Sequence, residues 1–290
     1  MQHVASVESK APQGGSWSLY PNRERPTMDC QFSFGPNNAY FVKSDTWRAW
    51  SDNNTLPETL RRVLEDPNHP EYCQFPYDVA MAMEPGVYSM WYQGKNEVQF
   101  YEPEHLGPHY AKLAAFMVSK TTRTVFGPYH SYFSTSDAGL SWQNLPPTLE
   151  TDIMNRLKLG RPHTVALGVK GAWVSLYDDS VLSHSLQGQY PGLQPFLDNA
   201  EERNKRNSIT YVALSPYTAG HFFVAFGDGS AQWDLPKEMH VDVETVAKTL
   251  RPLPAAARPQ ADSMLQATLN FQVAAHANMA MNNLLFHHRW

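Results

Sequence analysis

The chain has 290 residues, of which 42% are hydrophobic and 12% are aromatic, and it carries a formal net charge of −5. This composition is typical of a packed globular protein and excludes an intrinsically disordered chain. No basic block offsets the negative charge, so we predict no nucleic-acid partner. The sequence lacks a signal peptide and any run of about 18 apolar residues, which predicts a cytoplasmic protein with no membrane contact.

Residues 1–28 precede a region, residues 29–250, that holds five copies of one pattern. Each copy has a short apolar strand, a turn, and an aromatic residue that is followed five residues later by an acid or glutamine. The five pairs are Tyr40 and Asp45, Tyr88 and Gln93, Tyr132 and Asp137, Trp173 and Asp178, and Phe223 and Asp228. Successive acids lie 41 to 50 residues apart, which is a period typical of propeller blades or solenoid turns.

Each copy then continues with a second conspicuous residue and a proline. The second residue is Trp50, Trp142 or Trp233 in three copies, Phe100 in another and His184 in the fourth copy. The prolines are Pro57, Pro103, Pro146, Pro191 and Pro236, and a stretch with helical spacing follows them. Because proline near the first turn favours a helix start, we predict a unit of strand, strand, strand and short helix.

The adjacent acids Asp178 and Asp179, in "YDDSVL", raise the question of a catalytic or metal-binding pair. Asp and Gly tolerate the positive φ angles of tight hairpins, and an acid stands at the same place in most copies. We therefore predict that these two acids form a turn, and we predict no metal site.

Three-stranded units protect their edges when they are arranged around an axis. We therefore predict a mainly β chain that forms a five- or six-bladed β-propeller-like toroid, with a C-terminal helix. In residues 1–28, Trp17 and Pro21 have the spacing of Trp142 and Pro146, so this segment is a candidate to complete a blade and close the ring.

The organisation of residues 29–250 resembles that of small β-propeller repeat proteins, including the WD-type and tachylectin-like lectin propellers. The resemblance implies a propeller architecture and assigns no functional residue. The Gly-His and Trp-Asp signature of the WD class is absent, although Trp233 and Asp234 are adjacent.

Residues 251–290 differ from the repeats. A proline-rich linker, "RPLPAAARPQ", precedes a stretch with apolar residues at helical spacing, from Met264 to Phe271 and Met279. The predicted C-terminal helix either packs back on the toroid or binds a partner through its methionines, for example in a homodimer.

The sequence contains no phosphate-binding loop, hydrolase elbow or zinc motif, so we predict no cofactor. Candidate site residues are therefore departures from the repeat, and the first is His184. His130 and His221 both precede a second strand, so two copies can present imidazole at comparable ends. Imidazole titrates near physiological pH and suits acid/base roles, while hydrogen-bonded structural or solvated loop histidines explain the same pattern.

The repeated tryptophans Trp50, Trp142 and Trp233 are candidate ligand-binding platforms for sugars, and they are equally suited to pack between units. Lys43 is interpreted as an ordinary surface lysine. Cys30 and Cys73 have no metal or disulfide spacing and are predicted to be reduced, partly buried thiols.

Three functional hypotheses follow. The first is a non-enzymatic propeller-type binding module that recognises a glycan or a partner protein on one face. The alternative is a cyclase or isomerase that acts on an apolar small molecule in the central cavity, with acid/base help from His184 and His221. The third is a scaffold that acts through its C-terminal helix.

Overall fold

The computed structural model describes residues 30–51, 55–95, 99–101, 106–118, 122–136, 139–179, 181–199 and 209–253. The ring-closing segment predicted in residues 1–28 lies outside these residues. So does the predicted C-terminal helix, because only residues 251–253 of the last region are described.

Within the described residues, fifteen strands form five three-stranded antiparallel sheets, each made of strands consecutive in the chain. Sheet 1 contains Gln31–Phe34 (β1), Tyr40–Lys43 (β2) and Arg48–Trp50 (β3), and sheet 2 contains Phe75–Met81 (β4), Tyr88–Gln93 (β5) and Gln99–Tyr101 (β6). Sheet 3 contains Thr122–Gly127 (β7), Ser131–Ser136 (β8) and Gly139–Gln143 (β9). Sheet 4 contains Pro162–Leu167 (β10), Trp173–Tyr177 (β11) and Leu182–Ser185 (β12), and sheet 5 contains Ile209–Leu214 (β13), Phe222–Phe226 (β14) and Ala231–Asp234 (β15).

A short helix follows each sheet. The helices are Glu58–Glu65 (α1), Ala111–Met117 (α2), Pro147–Arg156 (α3), Gln194–Asp198 (α4) and His240–Thr249 (α5). Pro57 and Pro146 are the N-cap residues of α1 and α3, because proline has the fixed φ that a helix start requires. The mainly β class and the repeated unit of three strands and a helix are therefore confirmed.

Three acids of the repeat, Asp45, Asp178 and Asp228, lie between the second and third strands of their sheets, where the sequence predicts turns, and Asp137 lies outside the described residues. Asp178 and Asp179 form a turn between β11 and β12. The Asp179 Oδ1 atom accepts a hydrogen bond of 3.3 Å from the Val181 N–H. Asp228 has the same role between β14 and β15, where its Oδ1 atom accepts from the Ser230 N–H at 2.9 Å. Both acids thus satisfy backbone donors of the turns, as Asp residues commonly do.

The first strands of the sheets contact one another in cyclic order. β1 contacts β4, β4 contacts β7, β7 contacts β10, β10 contacts β13, and β13 contacts β1. The second and third strands follow outward in every sheet, since each sheet has its strands in chain order.

The described residues form five hydrophobic cores, one between each pair of consecutive sheets in this cycle. In each core the helix that follows one sheet packs with that sheet and the next: α1 with sheets 1 and 2, α2 with sheets 2 and 3, α3 with sheets 3 and 4, α4 with sheets 4 and 5, and α5 with sheets 5 and 1. Full burial of one large apolar side chain contributes about 1.5–3 kcal/mol, so every core adds several such contributions.

The core between sheets 5 and 1 joins the two ends of the described chain. The rings of Phe32 and Phe223 stack with centroids 5.7 Å apart. The Tyr40 hydroxyl donates a 2.6 Å hydrogen bond to Asp242 of α5. This interface therefore uses the same kind of contacts as the interfaces within the chain.

Candidate functional site

The five first strands surround a cavity of about 80 Å³. Its lining includes a residue from each of them, for example Phe32, Ala80, Val125, Val165 and Val212. A water molecule in a cavity occupies roughly 10–15 Å³ on this measure. The cavity therefore has room for a ligand of about five to eight non-hydrogen atoms.

The two ends of this cavity differ in chemistry. The beginnings of the first strands and the strands beside them supply polar residues, namely Lys43, Tyr77, Asp78, Arg123, Thr135, His163 and Tyr211. The ends of the first strands supply apolar residues, namely Phe34, Met81, Phe126 and Leu214. Arg123 is exposed and His163 is half-buried, whereas the four apolar side chains are all buried. The polar end is thus the solvent-accessible end.

At the polar end, side chains of one first strand bind the backbone of the next. The Tyr211 hydroxyl accepts from the Phe32 N–H at 3.0 Å and donates to the Phe32 carbonyl at 2.9 Å. The Gln31 amide donates to the Val79 carbonyl at 3.0 Å and accepts from the Val79 N–H at 3.1 Å. The first strand is the edge strand of its sheet, so these backbone groups have no further strand to pair with, and the side chains of the neighbouring sheet satisfy them instead.

Asp78 continues this series from sheet 2 to sheet 3. Its Oδ2 atom accepts a 3.1 Å hydrogen bond from the Thr124 N–H, and its Oδ1 atom accepts one of 2.9 Å from the Gln31 Nε2 atom. Burial raises the pKa of the Asp78 carboxyl to about 7, although the Thr124 N–H and the positive charges of Arg123 and Lys43 oppose the shift. Asp78 is therefore a carboxyl that titrates near neutral pH.

Two cationic side chains stand beside this carboxyl. Among the residues that the structure describes, none forms a hydrogen bond or an ion pair with the Arg123 guanidinium. Lys43 is only 2% exposed, and its ammonium lies 5.3 Å from the centroid of the Phe75 ring. The interpretation of Lys43 as a surface lysine is therefore wrong, because its position on the innermost pair of strands places it at the cavity.

His184 lies on β12, the third strand of sheet 4, opposite Val174. Its Nε2 atom is 3.8 Å from the Asp198 Oδ1 atom. Partial burial lowers its pKa below the usual 6.5, and the negative charge of Asp198 opposes this shift. His184 is not among the residues that line the cavity.

His130 and His221 lie in the turns before the second strands of sheets 3 and 5, as the sequence predicts. The His130 ring stacks on His109 at 4.1 Å, and its Nδ1 atom is 2.5 Å from the Glu84 Oε1 atom, without the alignment of a hydrogen bond. The Tyr110 hydroxyl donates to the other Glu84 oxygen at 2.8 Å. Neither His130 nor His221 lines the cavity. No contact joins His130, His184 and His221 within the described residues.

The three tryptophans are partly buried and pack against the cores between sheets. The Trp50 indole N–H donates to Glu65 at 2.9 Å, and the Trp142 N–H donates to Glu150 at 3.0 Å. The Trp233 ring stacks on Phe223 with centroids 6.4 Å apart. These contacts favour packing between units, and sugar binding by the tryptophans stays a prediction.

The described residues contain no group of three or more His, Cys, Asp or Glu side chains that could hold a metal ion. None of their helices is long and apolar enough to cross a membrane. Cys30 and Cys73 are buried and form no disulfide, as predicted.

The polar residues of the cavity were missed because each lies in a short apolar strand. A signal for them exists in the repeat. In every sheet, one residue of the first strand pairs with the first repeated aromatic residue. The residue three positions before it in the chain is polar in every copy. These residues are Gln31, Asp78, Arg123, Thr164 and Thr210. A comparison of the copies at this position would have identified the polar end.

The chain matches no protein-family model, and no curated protein or solved structure gave a significant match. The site is therefore interpreted from its own geometry.

Proposed function

We propose that this chain is a non-enzymatic binding module built as a five-bladed β-propeller-like toroid, and that it holds a small molecule in the cavity on the axis. One observation carries this proposal: the five first strands contact one another cyclically around a cavity to which each of them contributes. Ligand sites are commonly concave, largely apolar and equipped with a few converging polar groups, which describes this cavity.

The size of the cavity supports a small ligand. A volume of about 80 Å³ accepts about five to eight non-hydrogen atoms, which is fewer than a hexose contains. A glycan or a partner protein would therefore bind on an outer face, with at most one group in the cavity. Binding of a glycan and binding of a partner protein both remain proposals for the outer faces. The homodimer and scaffold hypotheses remain proposals for the C-terminal region.

The specific candidate for the enzyme hypothesis is Asp78, because His184 and His221 do not line the cavity. A carboxyl with a pKa of about 7 has the value that best suits a general acid or base at neutral pH. Asp78 also lines the cavity in which a cyclase or isomerase would bind its apolar substrate. Both of its oxygens already accept hydrogen bonds, which favours the binding module.

We also propose a cytoplasmic location. The absence of a disulfide between Cys30 and Cys73 supports it, because proteins of oxidising compartments commonly form disulfides.

A thermal-shift screen with small polar and amphipathic metabolites tests the binding function. A ligand at a hundred times its dissociation constant should add about 2.7 kcal/mol to the free energy of unfolding. Val125→Phe, which fills the cavity, should abolish this shift relative to its own unligated form. The matched variant Val241→Phe, on the exposed surface of α5, should retain it. Equal shifts in both variants would place the ligand outside the cavity and contradict the proposal.

A further inference from the structure

We infer that the ligand of the axial cavity is a short-chain monocarboxylate, such as propionate or butyrate. Arg123 holds the carboxylate at the open polar end, and the hydrocarbon chain occupies the closed apolar end. This inference rests on the proposed binding function and names its ligand class.

The charges at the polar end favour an anion. Among the residues that line the cavity, Arg123 and Lys43 are cationic, and Asp78 is the acid. The two oxygens of Asp78 already accept hydrogen bonds from Gln31 and the Thr124 N–H. The Arg123 guanidinium has no hydrogen-bond or ion-pair partner within the described part of the chain. Its planar donor fork matches the two oxygens of a carboxylate.

The far end of the cavity favours a hydrocarbon. Met81, Phe126 and Leu214 line it and are almost fully buried. The Tyr217 hydroxyl donates to the Ala82 carbonyl at 2.9 Å and so links sheet 5 to sheet 2. These sheets are not neighbours in the cycle, and the bond joins them just beyond the last residues of the first strands, where the buried apolar side chains lie.

A ligand with one charged end fits this arrangement better than a compact polyanion. Phosphate or a dicarboxylate would place further charged oxygens against apolar walls, where unpaired polar groups cost several kcal/mol. A monocarboxylate puts its charge at Arg123 and its methylenes on the apolar surface.

The chain length of the ligand follows from the volume of the cavity. Propionate and butyrate have five and six non-hydrogen atoms, which matches the space of about 80 Å³. Burial of a CH₂ group contributes about 0.8 kcal/mol, or roughly fourfold in affinity. Affinity should therefore rise about fourfold per carbon from acetate to butyrate, and then fall for octanoate because its ten non-hydrogen atoms exceed the space for about five to eight.

The experiment is calorimetric titration of the full chain with acetate, propionate, butyrate and octanoate, at constant ionic strength maintained with sodium chloride. Butyramide, which lacks the charge, is the neutral control ligand. Methyl NMR signals of Val125, Ala166 and Leu214 should shift with butyrate, which locates the bound chain. Arg123→Gln should weaken butyrate binding by about tenfold or more, since hydrogen bonds to charged groups contribute about 1.5–3 kcal/mol. Arg62→Gln, on the exposed face of α1, is the matched control and should bind like the wild type.

Butyrate binding that needs Arg123 and has the predicted dependence on chain length would support the inference. Equal binding of butyramide and butyrate, or full binding by Arg123→Gln, would overturn it. If no carboxylate binds while other small molecules give shifts that Val125→Phe abolishes, the ligand class is wrong and the proposed function stands. If no ligand responds to Val125→Phe, both proposals fail.

Discussion

Replacing Asp78 by asparagine should remove a pH dependence from the stability of this protein. The carboxyl is buried in the folded chain, where its pKa is about 7, whereas the ordinary value is 3.8. A raised pKa means that folding favours the protonated form, so its contribution is fully present below the ordinary value. That contribution is lost as the pH rises through the folded value. At about 1.4 kcal/mol per pH unit, the interval between these two pKa values corresponds to about 4 kcal/mol of the free energy of unfolding.

The assay is urea unfolding of wild type and Asp78→Asn at several pH values between about 4 and 8. Asparagine keeps one acceptor for the two donors that face residue 78, so a constant loss of about 1–3 kcal/mol is expected. In addition to this constant loss, the free energy of unfolding of the wild type should fall relative to that of Asp78→Asn as the pH rises. Asp66→Asn, at an exposed turn after α1, is the matched control and should leave the pH profile unchanged. A difference between wild type and Asp78→Asn that is the same at both ends of the range would refute the reasoning.

Three smaller predictions concern other parts of the molecule. Tyr217→Phe removes the hydrogen bond across the apolar end and should lower the free energy of unfolding by about 1 kcal/mol, measured in urea. Tyr129→Phe, at a side chain that is 82% exposed, should change it by less than about 0.5 kcal/mol. Cys30 and Cys73 are buried, and burial raises the pKa of Cys73 to about 12. Both thiols should therefore resist an aromatic disulfide reagent until the chain is unfolded, and rapid labelling of the native protein would count against this. In an NMR titration, His184 should show a pKa below 6.5 because it is partly buried; a higher value would mean that the charge of Asp198 dominates.

The sequence was sufficient to predict the repeated unit because its signals are local. Aromatic side chains recur on the second strands, and acids such as Asp179 accept from backbone donors of their own turns. Prolines such as Pro57 directly precede the helices. These effects act within a few residues, so they are visible without knowledge of the neighbours.

The candidate site was not predicted because it depends on neighbours that are distant in the chain. Gln31 acquires its role from Val79, and Tyr211 from Phe32, which lies 179 positions away. His184 was selected because it departs from the repeat. Its strand is the third of its sheet, however, so it lies on the side of the sheet away from the first strands. A departure from a repeat identifies an unusual residue and does not by itself locate a cavity.

Because sheets 5 and 1 are in contact, the ends of the chain could lie between any two neighbouring units while the cyclic order of the units stays the same. No strand is exchanged between sheets, so each sheet remains intact wherever the polypeptide begins. The Ser44 and Thr249 hydroxyls are 2.7 Å apart, and the two ends of the described chain therefore meet. A circular permutant that joins these ends and opens the connection between α3 and β10 would keep all five sheets. The interface that no connecting segment of the chain crosses would then lie between sheets 3 and 4 instead of between sheets 5 and 1.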